Sequence, residues 1–225
     1  MTFGYRTDDK VIRALAQRQF EYFGVLGSAN KIRQMKSEYE NEKLDIKMQD
    51  NFFAPAGISI HSHTPKEIAI SIAAQIIAEA FQYNIPEEDI WLDPIAPPIK
   101  TQQLQIQGCT EFALMIREAF PECKSIYGGS NISNGVPRNL RGMLNRTYLI
   151  MLKRYGIYSA IVDAFDSELT NIAEGRRPEL EKLVYSVMDG DDIDNSVLSE
   201  EEIKYVKTTR VLLGQNLYSD FWLEL

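Results

Sequence analysis

The feature that most constrains the fold is a regular alternation of helical and strand-like segments that begins near residue 64. Thr64-Pro65-Lys66-Glu67 combines a capping hydroxyl, a proline at the first helical position and a glutamate three residues past the cap. Apolar residues then recur at helical spacing to about Tyr83, and Ile90-Trp91-Leu92-Asp93 follows as a short apolar strand. The sequence therefore predicts a helix followed by a buried strand.

The same order repeats further along the chain. Helices are predicted at about 111–120 and 140–154, and strands at 125–127 and 159–162. Strands that alternate with helices of this length favour crossover connections and a parallel sheet. The predicted fold class is α/β.

The segments on either side of this region are less regular. Before it, apolar spacing predicts helices at 8–23 and 31–43, a short strand at 44–48 and a loop at 51–63. After Asp166, the pattern predicts a helix at 169–187, an acidic loop at 189–195 and a last helix opened by the capping box Ser199-Glu200-Glu201-Glu202.

Composition and charge exclude several kinds of partner. The 225 residues carry a net charge of -8 and no basic run with interleaved aromatic residues, so we expect no nucleic acid partner. The longest apolar runs fall well below the roughly 20 residues of a membrane span, and the first residues do not resemble a signal peptide. We expect a cytoplasmic protein with no membrane contact.

Metal-ligating residues are few. Cys109 and Cys123 are predicted to be reduced, packed thiols, since two cysteines cannot build a four-ligand zinc site alone. His61 and His63 have no third ligand nearby, which favours an ordinary loop over a metal site. We expect no bound metal.

Polar residues follow the predicted strands at the edge where α/β proteins bind ligands. Asp93 and Asp163 each end an apolar run, and a carboxylate there can accept hydrogen bonds from a pair of N–H groups. A turn-forming or helix-capping aspartate has the same local pattern, so both interpretations stay open for both residues.

The third such place is Gly128–Gly135, Gly-Gly-Ser-Asn-Ile-Ser-Asn-Gly. Its glycines let a ligand approach the backbone, and Asn131 offers an amide, although a simple turn has the same composition. Arg146, in the next predicted helix, can face either an anion or solvent.

Three segments resemble one family in order and spacing: Trp91-Leu92-Asp93-Pro94, Gly129-Ser130-Asn131-Ile132-Ser133-Asn134-Gly135-Val136-Pro137 and Leu144-Asn145-Arg146-Thr147. They resemble the methyltetrahydrofolate:corrinoid methyltransferases, pterin-binding proteins on a (β/α)8 TIM barrel. The resemblance implies methyl transfer between 5-methyltetrahydrofolate, or tetrahydrofolate, and a corrinoid (cobalamin) held by a partner protein.

The resemblance also implies roles for individual residues. Asp93 would bind the pterin ring, and Asn131 would be catalytic by stabilising N5 as the methyl group leaves. The other implied substrate-binding residues are Gly129, Ser130, Ser133, Arg146 and Asp163.

The resemblance covers 57–225, about the last four βα units of the barrel, with an insertion at 166–198 and a divergent helical segment at 1–56. A partial barrel leaves sheet edges open. The chain is then either a truncated product, or its open edges are covered by a second copy in a homodimer, by a separate N-terminal half or by its own first 60 residues. One alternative function is that of a noncatalytic pterin- or corrinoid-protein-binding module. The other is that of a protein similar to dihydropteroate synthase, but the basic motif expected near the last strand of such a protein is missing from this sequence.

Overall fold

A computed structural model describes residues 4–44, 51–61 and 64–224 of this chain. They divide into two compact units, residues 1–85 and residues 86–225. The predicted boundary at 56–57 lies inside the first unit, and that division stays a prediction. Except for Leu44, the strand predicted at 44–48 lies outside the described residues, as does His63.

The first unit contains a parallel β-α-β arrangement. Its helices are α1 Tyr5–Leu15, α2 Ala29–Asn41 and α3 Pro65–Gln82, and its strands are β1 Phe23–Gly24 and β2 Phe52–Phe53. The strands pair in parallel, with Phe23 opposite Phe52. Helix α1 ends eight residues earlier than the predicted helix at 8–23, because β1 occupies the end of that range.

Local signals explain the two longer helices of this unit. The Ser28 hydroxyl caps α2 by accepting a hydrogen bond from the Lys31 amide at 3.3 Å. The predicted capping box of α3 is confirmed, since Thr64 and Glu67 each accept from the other's backbone amide. The small apolar core consists of Ile12, Ala16, Val25, Ile32, Met35 and Tyr39.

The second unit is built on a three-stranded parallel sheet with β4 in the middle. Its strands are β3 Trp91–Leu92, β4 Lys124–Gly128 and β5 Ser159–Ile161. Its helices are α4 Ile99–Gln102, α5 Ile106–Ala119, α6 Arg138–Arg154, α7 Ser167–Ala173, α8 Pro178–Asp189 and α9 Glu200–Leu212.

Helix α6 lies at the centre of this unit's core. Leu144 and Tyr148 to Leu152 are buried in it, together with Tyr127 of β4 and Leu212 of α9. Such a continuous buried run on one helix is typical of an element surrounded by others. Burial of this much apolar surface is the main stabilising contribution to the unit.

Two predictions about the second unit are wrong. The described strands form one sheet of three and one of two, and they do not close into a TIM barrel or a recognisable part of one. The single helix predicted at 169–187 is two helices, α7 and α8, because Gly175 adopts a φ of 73° and Pro178 begins a new helix.

None of the helices in the described part of the chain is both long and apolar enough to cross a bilayer.

Candidate functional site

The carboxyl edge of the three-stranded sheet collects most of the predicted site residues. Asp93 follows β3, Gly129 to Asn131 follow the central β4, and Asp163 follows β5. All three strands run in the same direction, so these segments emerge at one edge of the sheet. The sequence order alone predicts this convergence.

Asp93 and Asp163 have the same local geometry. The Oδ1 atom of Asp93 accepts from the Ile95 amide at 2.8 Å, and that of Asp163 accepts from the Phe165 amide at 2.9 Å. Each aspartate therefore closes a short turn after its strand. Both side chains are exposed, which leaves their second carboxylate oxygens open to water.

Gly129 is fixed by its contact with β5. Its amide donates to the Ile161 carbonyl at 2.8 Å, and a Cβ atom at this position would lie 2.8 Å from the same oxygen. The Tyr127 hydroxyl donates to the Gly129 carbonyl at 2.9 Å. This glycine is required for packing between neighbouring strands, whatever ligand the edge binds.

The turn after Gly129 presents some polar groups and buries others. Ser130 and Asn131 are exposed, and the Asn131 amide lies beside Gly128. Ser133 is buried: its hydroxyl donates to the Ser130 carbonyl at 3.3 Å and accepts from Arg141 Nε at 3.2 Å. Ser133 thus holds the turn together, while the Asn131 side chain is exposed at the sheet edge.

Arg146 lies on α6, and its guanidinium group forms an ion pair with the carboxylate of Asp166. Arg146 Nε lies 3.0 Å from both carboxylate oxygens of Asp166, and Nη2 lies 2.7 Å from Oδ1. Asp166 also caps α7 by accepting from the Leu169 amide at 3.0 Å. Sequence reasoning missed Asp166, although Asp166-Ser167-Glu168 is a recognisable helix start.

The core beneath this edge is not suited to acid–base or nucleophilic chemistry. Burial raises the pKa of the Cys109 thiol to about 11, so it stays protonated at neutral pH. Burial also raises the pKa of Tyr127 and Tyr148 well above the ordinary value. Their rings pack edge to face, with centroids 5.2 Å apart. We assign these side chains to packing.

The first unit has its own carboxyl edge, which sequence reasoning treated as loop. The Val25 amide donates to the Phe53 carbonyl, and the Ala56 amide donates to the Val25 carbonyl, both at 2.9 Å. These bonds extend the parallel pairing beyond β1 and β2. The segments that follow, around Leu26 and Ile58, therefore emerge at one edge.

Helix α3 holds the second of these segments in place. Gly57 has a φ of 102°, and a Cβ atom there would overlap the Ser71 hydroxyl. The Gly57 amide donates to Gln75 Oε1 at 2.6 Å, and the Ser71 hydroxyl donates to the Ile58 carbonyl at 2.6 Å. Gly57 is needed for this close approach between loop and helix.

The first segment is held by a partly buried charge pair. Lys31 Nζ binds the carboxylate of Asp8, which is 6% exposed, and donates to the Leu26 carbonyl at 2.8 Å. A Cβ atom at Gly27 would lie 2.6 Å from Lys31 Cδ. Glycine at position 27 thus lets the lysine stem fold back across the turn.

Within the described ranges, no group of three or more His, Cys, Asp or Glu side chains could hold a metal ion. His61, with a φ of 55°, is exposed in the loop after Ile60.

Comparison with known proteins relates the first unit to a defined class. Residues 1–76 match the family model described as the XdhC Rossmann domain. A curated relative from Bacillus subtilis (strain 168), named as a probable subunit of xanthine dehydrogenase, is 33% identical over 76 residues. The match covers 34% of this chain and 21% of the relative, so the chain spans about a fifth of that relative's length.

This similarity overturns the methyltransferase prediction. The matched family is of the XdhC Rossmann type, so the assignment to a pterin-binding TIM-barrel family, the enzyme class and the predicted methyl transfer are wrong. The alternative of a noncatalytic pterin- or corrinoid-protein-binding module is wrong as well. The physical reason is that strand-end aspartates and a glycine-rich turn arise in many parallel sheets and do not identify a ligand.

Proposed function

We propose that this chain is an accessory protein of a xanthine dehydrogenase and that its first unit carries this role. The observation behind the proposal is the agreement between the β-α-β arrangement of Phe23 to Phe53 and the family similarity of residues 1–76. The Bacillus subtilis relative is named as a probable component of that enzyme, which supports a role exerted through physical association.

The carboxyl edge of the first unit is the surface we assign to this association. Leu26 and Ile58 follow the hydrogen-bonded pair Val25 and Ala56, and their side chains are 39% and 44% exposed. Ile60, 46% exposed, lies two residues further on. Exposed apolar side chains held on a well-anchored edge are suited to contact with another protein.

Anchoring of the edge matters for affinity. Ser71 and Gln75 hold the Gly57 loop, and Lys31 holds the turn at Leu26. A preorganised surface loses little conformational entropy on binding. The first unit therefore offers a rigid contact surface, even though its sheet has only two described strands.

Co-expression with the xanthine dehydrogenase of the source organism tests this proposal. We expect the specific activity of the purified enzyme toward xanthine to be higher when the full chain is present. Leu26→Asp combined with Ile58→Asp should abolish that increase, because two apolar contacts become charged. Equal activity with and without the chain would contradict the proposal.

A matched control separates surface effects from general destabilisation. Phe81 is 52% exposed and lies at the C-terminal end of α3. It is ten residues from Ser71, which corresponds to about 15 Å along the helix axis at 1.5 Å per residue. Phe81→Asp should support the enzyme as well as the wild-type chain does. Loss of activity with this variant too would assign the effect to folding rather than to the proposed surface.

A further inference from the structure

One face of the three-stranded sheet in the second unit is covered by helices. Ser125 and Tyr127 of β4 are buried, and Tyr127 belongs to the core that includes α6. Side chains alternate along a strand, so Lys124, Ile126 and Gly128 lie on the opposite face.

The strand register extends this second face to the neighbouring strands. Trp91 pairs with Lys124, Ser159 with Ile126, and Ile161 with Gly128. Directly paired residues share a face of the sheet. We call this set the open face: Trp91, Lys124, Ile126, Gly128, Ser159 and Ile161.

The open face exposes large apolar side chains. Trp91 is 47% exposed and Ile161 is 67% exposed. Ile95 and Phe165, which follow β3 and β5, are 54% and 98% exposed. Parallel sheets are almost always covered on both faces, and apolar patches of this kind mark interaction sites. An uncovered parallel sheet therefore calls for a partner.

Charged groups on and beside the open face are arranged in a complementary way. Lys124 begins the central strand, with Nζ 5.4 Å from the Trp91 ring centroid and 5.6 Å from that of Tyr158. Asp93 and Asp163 follow the flanking strands, and both are exposed. Continued along the strand register, Asp93 lies level with Ile126, and Asp163 lies beyond Gly128. Within the described ranges, none of these three charged groups forms an ion pair.

We propose that the open face is the interface of a homodimer in which two copies stack with antiparallel strands. A twofold axis across the strands at Ile126 places Lys124 of each copy over Gly128 of the other, diagonally between Asp93 and Asp163. The cation lies on the middle strand and the carboxylates lie on the two outer strands, so the pattern is complementary to itself. Self-complementarity of this kind is what a twofold interface requires.

The composition of the face fits such an interface. Trp91, Ile126 and Ile161 supply apolar area, and Lys124, Asp93 and Asp163 supply charged groups beside it, so the face combines the two kinds of group that protein interfaces contain. Tryptophan is among the residues that contribute most to binding energy. Ile95, Tyr158 and Phe165 enlarge the area toward the roughly 800 Å² per partner that stable complexes bury.

The first test is the mass of the full chain in solution. Light scattering coupled to size exclusion, over a range of protein concentrations, should give twice the 25.7 kDa of one chain. Ile161→Asp should give the monomer mass, because it buries an unpaired charge at the interface. Leu217→Asp, at an 85% exposed position outside the open face, should remain dimeric. A monomeric wild type, or a dimeric Ile161→Asp, would overturn the proposal.

The second test addresses the antiparallel arrangement. Asp93→Asn and Asp163→Asn keep the oxygen that closes each turn but remove the charge. Lys124→Gln should weaken dimerisation several-fold in the wild-type chain and have little effect in the doubly substituted chain. Equal weakening in both would overturn this pairing of charges. These measurements do not involve xanthine dehydrogenase, so they are independent of the proposed function.

Discussion

At the scale of single residues, several positions that look like ligand contacts are determined by packing. Gly129 packs closely against Ile161 of β5, and Asp93 and Asp163 each close a turn through one oxygen. Their position at the strand ends could be predicted, since it follows from the alternation of strands and helices. Their chemical role could not, because the same residues satisfy purely local geometry.

Gly129→Ala should destabilise the fold by about 1–3 kcal/mol, because the added Cβ meets a backbone oxygen that cannot move freely. Urea denaturation of both proteins measures this difference. Gly108→Ala is the matched control, since a Cβ atom at Gly108 in α5 would meet nothing within 4 Å. Gly108→Ala should raise the free energy of unfolding by about 0.5–1 kcal/mol. An unchanged free energy of unfolding for Gly129→Ala would contradict the packing argument.

At the scale of elements, helices with explicit caps and the three strands of the second unit were predicted well, whereas the two strands of the first unit were not. The starts of α3 and α9 match their capping boxes, and α6 begins within two residues of its predicted start. Strands β1 and β2 were missed because apolar spacing indicated a helix up to Phe23 and because Pro55 and Gly57 indicated a loop after Asn51. Their pairing connects Phe23 to Phe52, a nonlocal contact that no local pattern encodes.

The capping box of α9 gives a pH-dependent prediction. Hydrogen bonds from the Ser199 hydroxyl and backbone lower the pKa of Glu202 below its ordinary value of 4.5. A lowered pKa in the folded state stabilises the fold above the ordinary pKa, and the contribution disappears as pH falls through the lowered value.

We therefore expect Glu202→Gln to reduce the free energy of unfolding near pH 7 but not at a pH below the lowered pKa. Urea denaturation of both proteins at the two pH values provides the comparison. Glu200→Gln, on the same first turn, serves as a control for charge near the helix start. A difference that does not depend on pH would contradict this role of the Glu202 charge.

At the scale of the whole molecule, the two units provide different information about function. Residues 86–225 carry the strand-end pattern on which the methyltransferase prediction was based, and that pattern defines a sheet edge without identifying its ligand. The family similarity lies in residues 1–76, where the helices were predicted but the paired strands β1 and β2 were not. Function could not be predicted from pattern alone because the parallel strand pairing of the informative unit has no local signal in the sequence.

Direct binding of the full chain to purified xanthine dehydrogenase from the same organism is the measurement that tests the proposed association. We expect saturable binding by surface plasmon resonance or calorimetry, and we expect Leu26→Asp with Ile58→Asp to raise Kd by about tenfold or more, equivalent to about 1.4 kcal/mol. Phe81→Asp should bind like the wild type. Absence of binding by the wild-type chain, or equal affinity for all three proteins, would contradict the account.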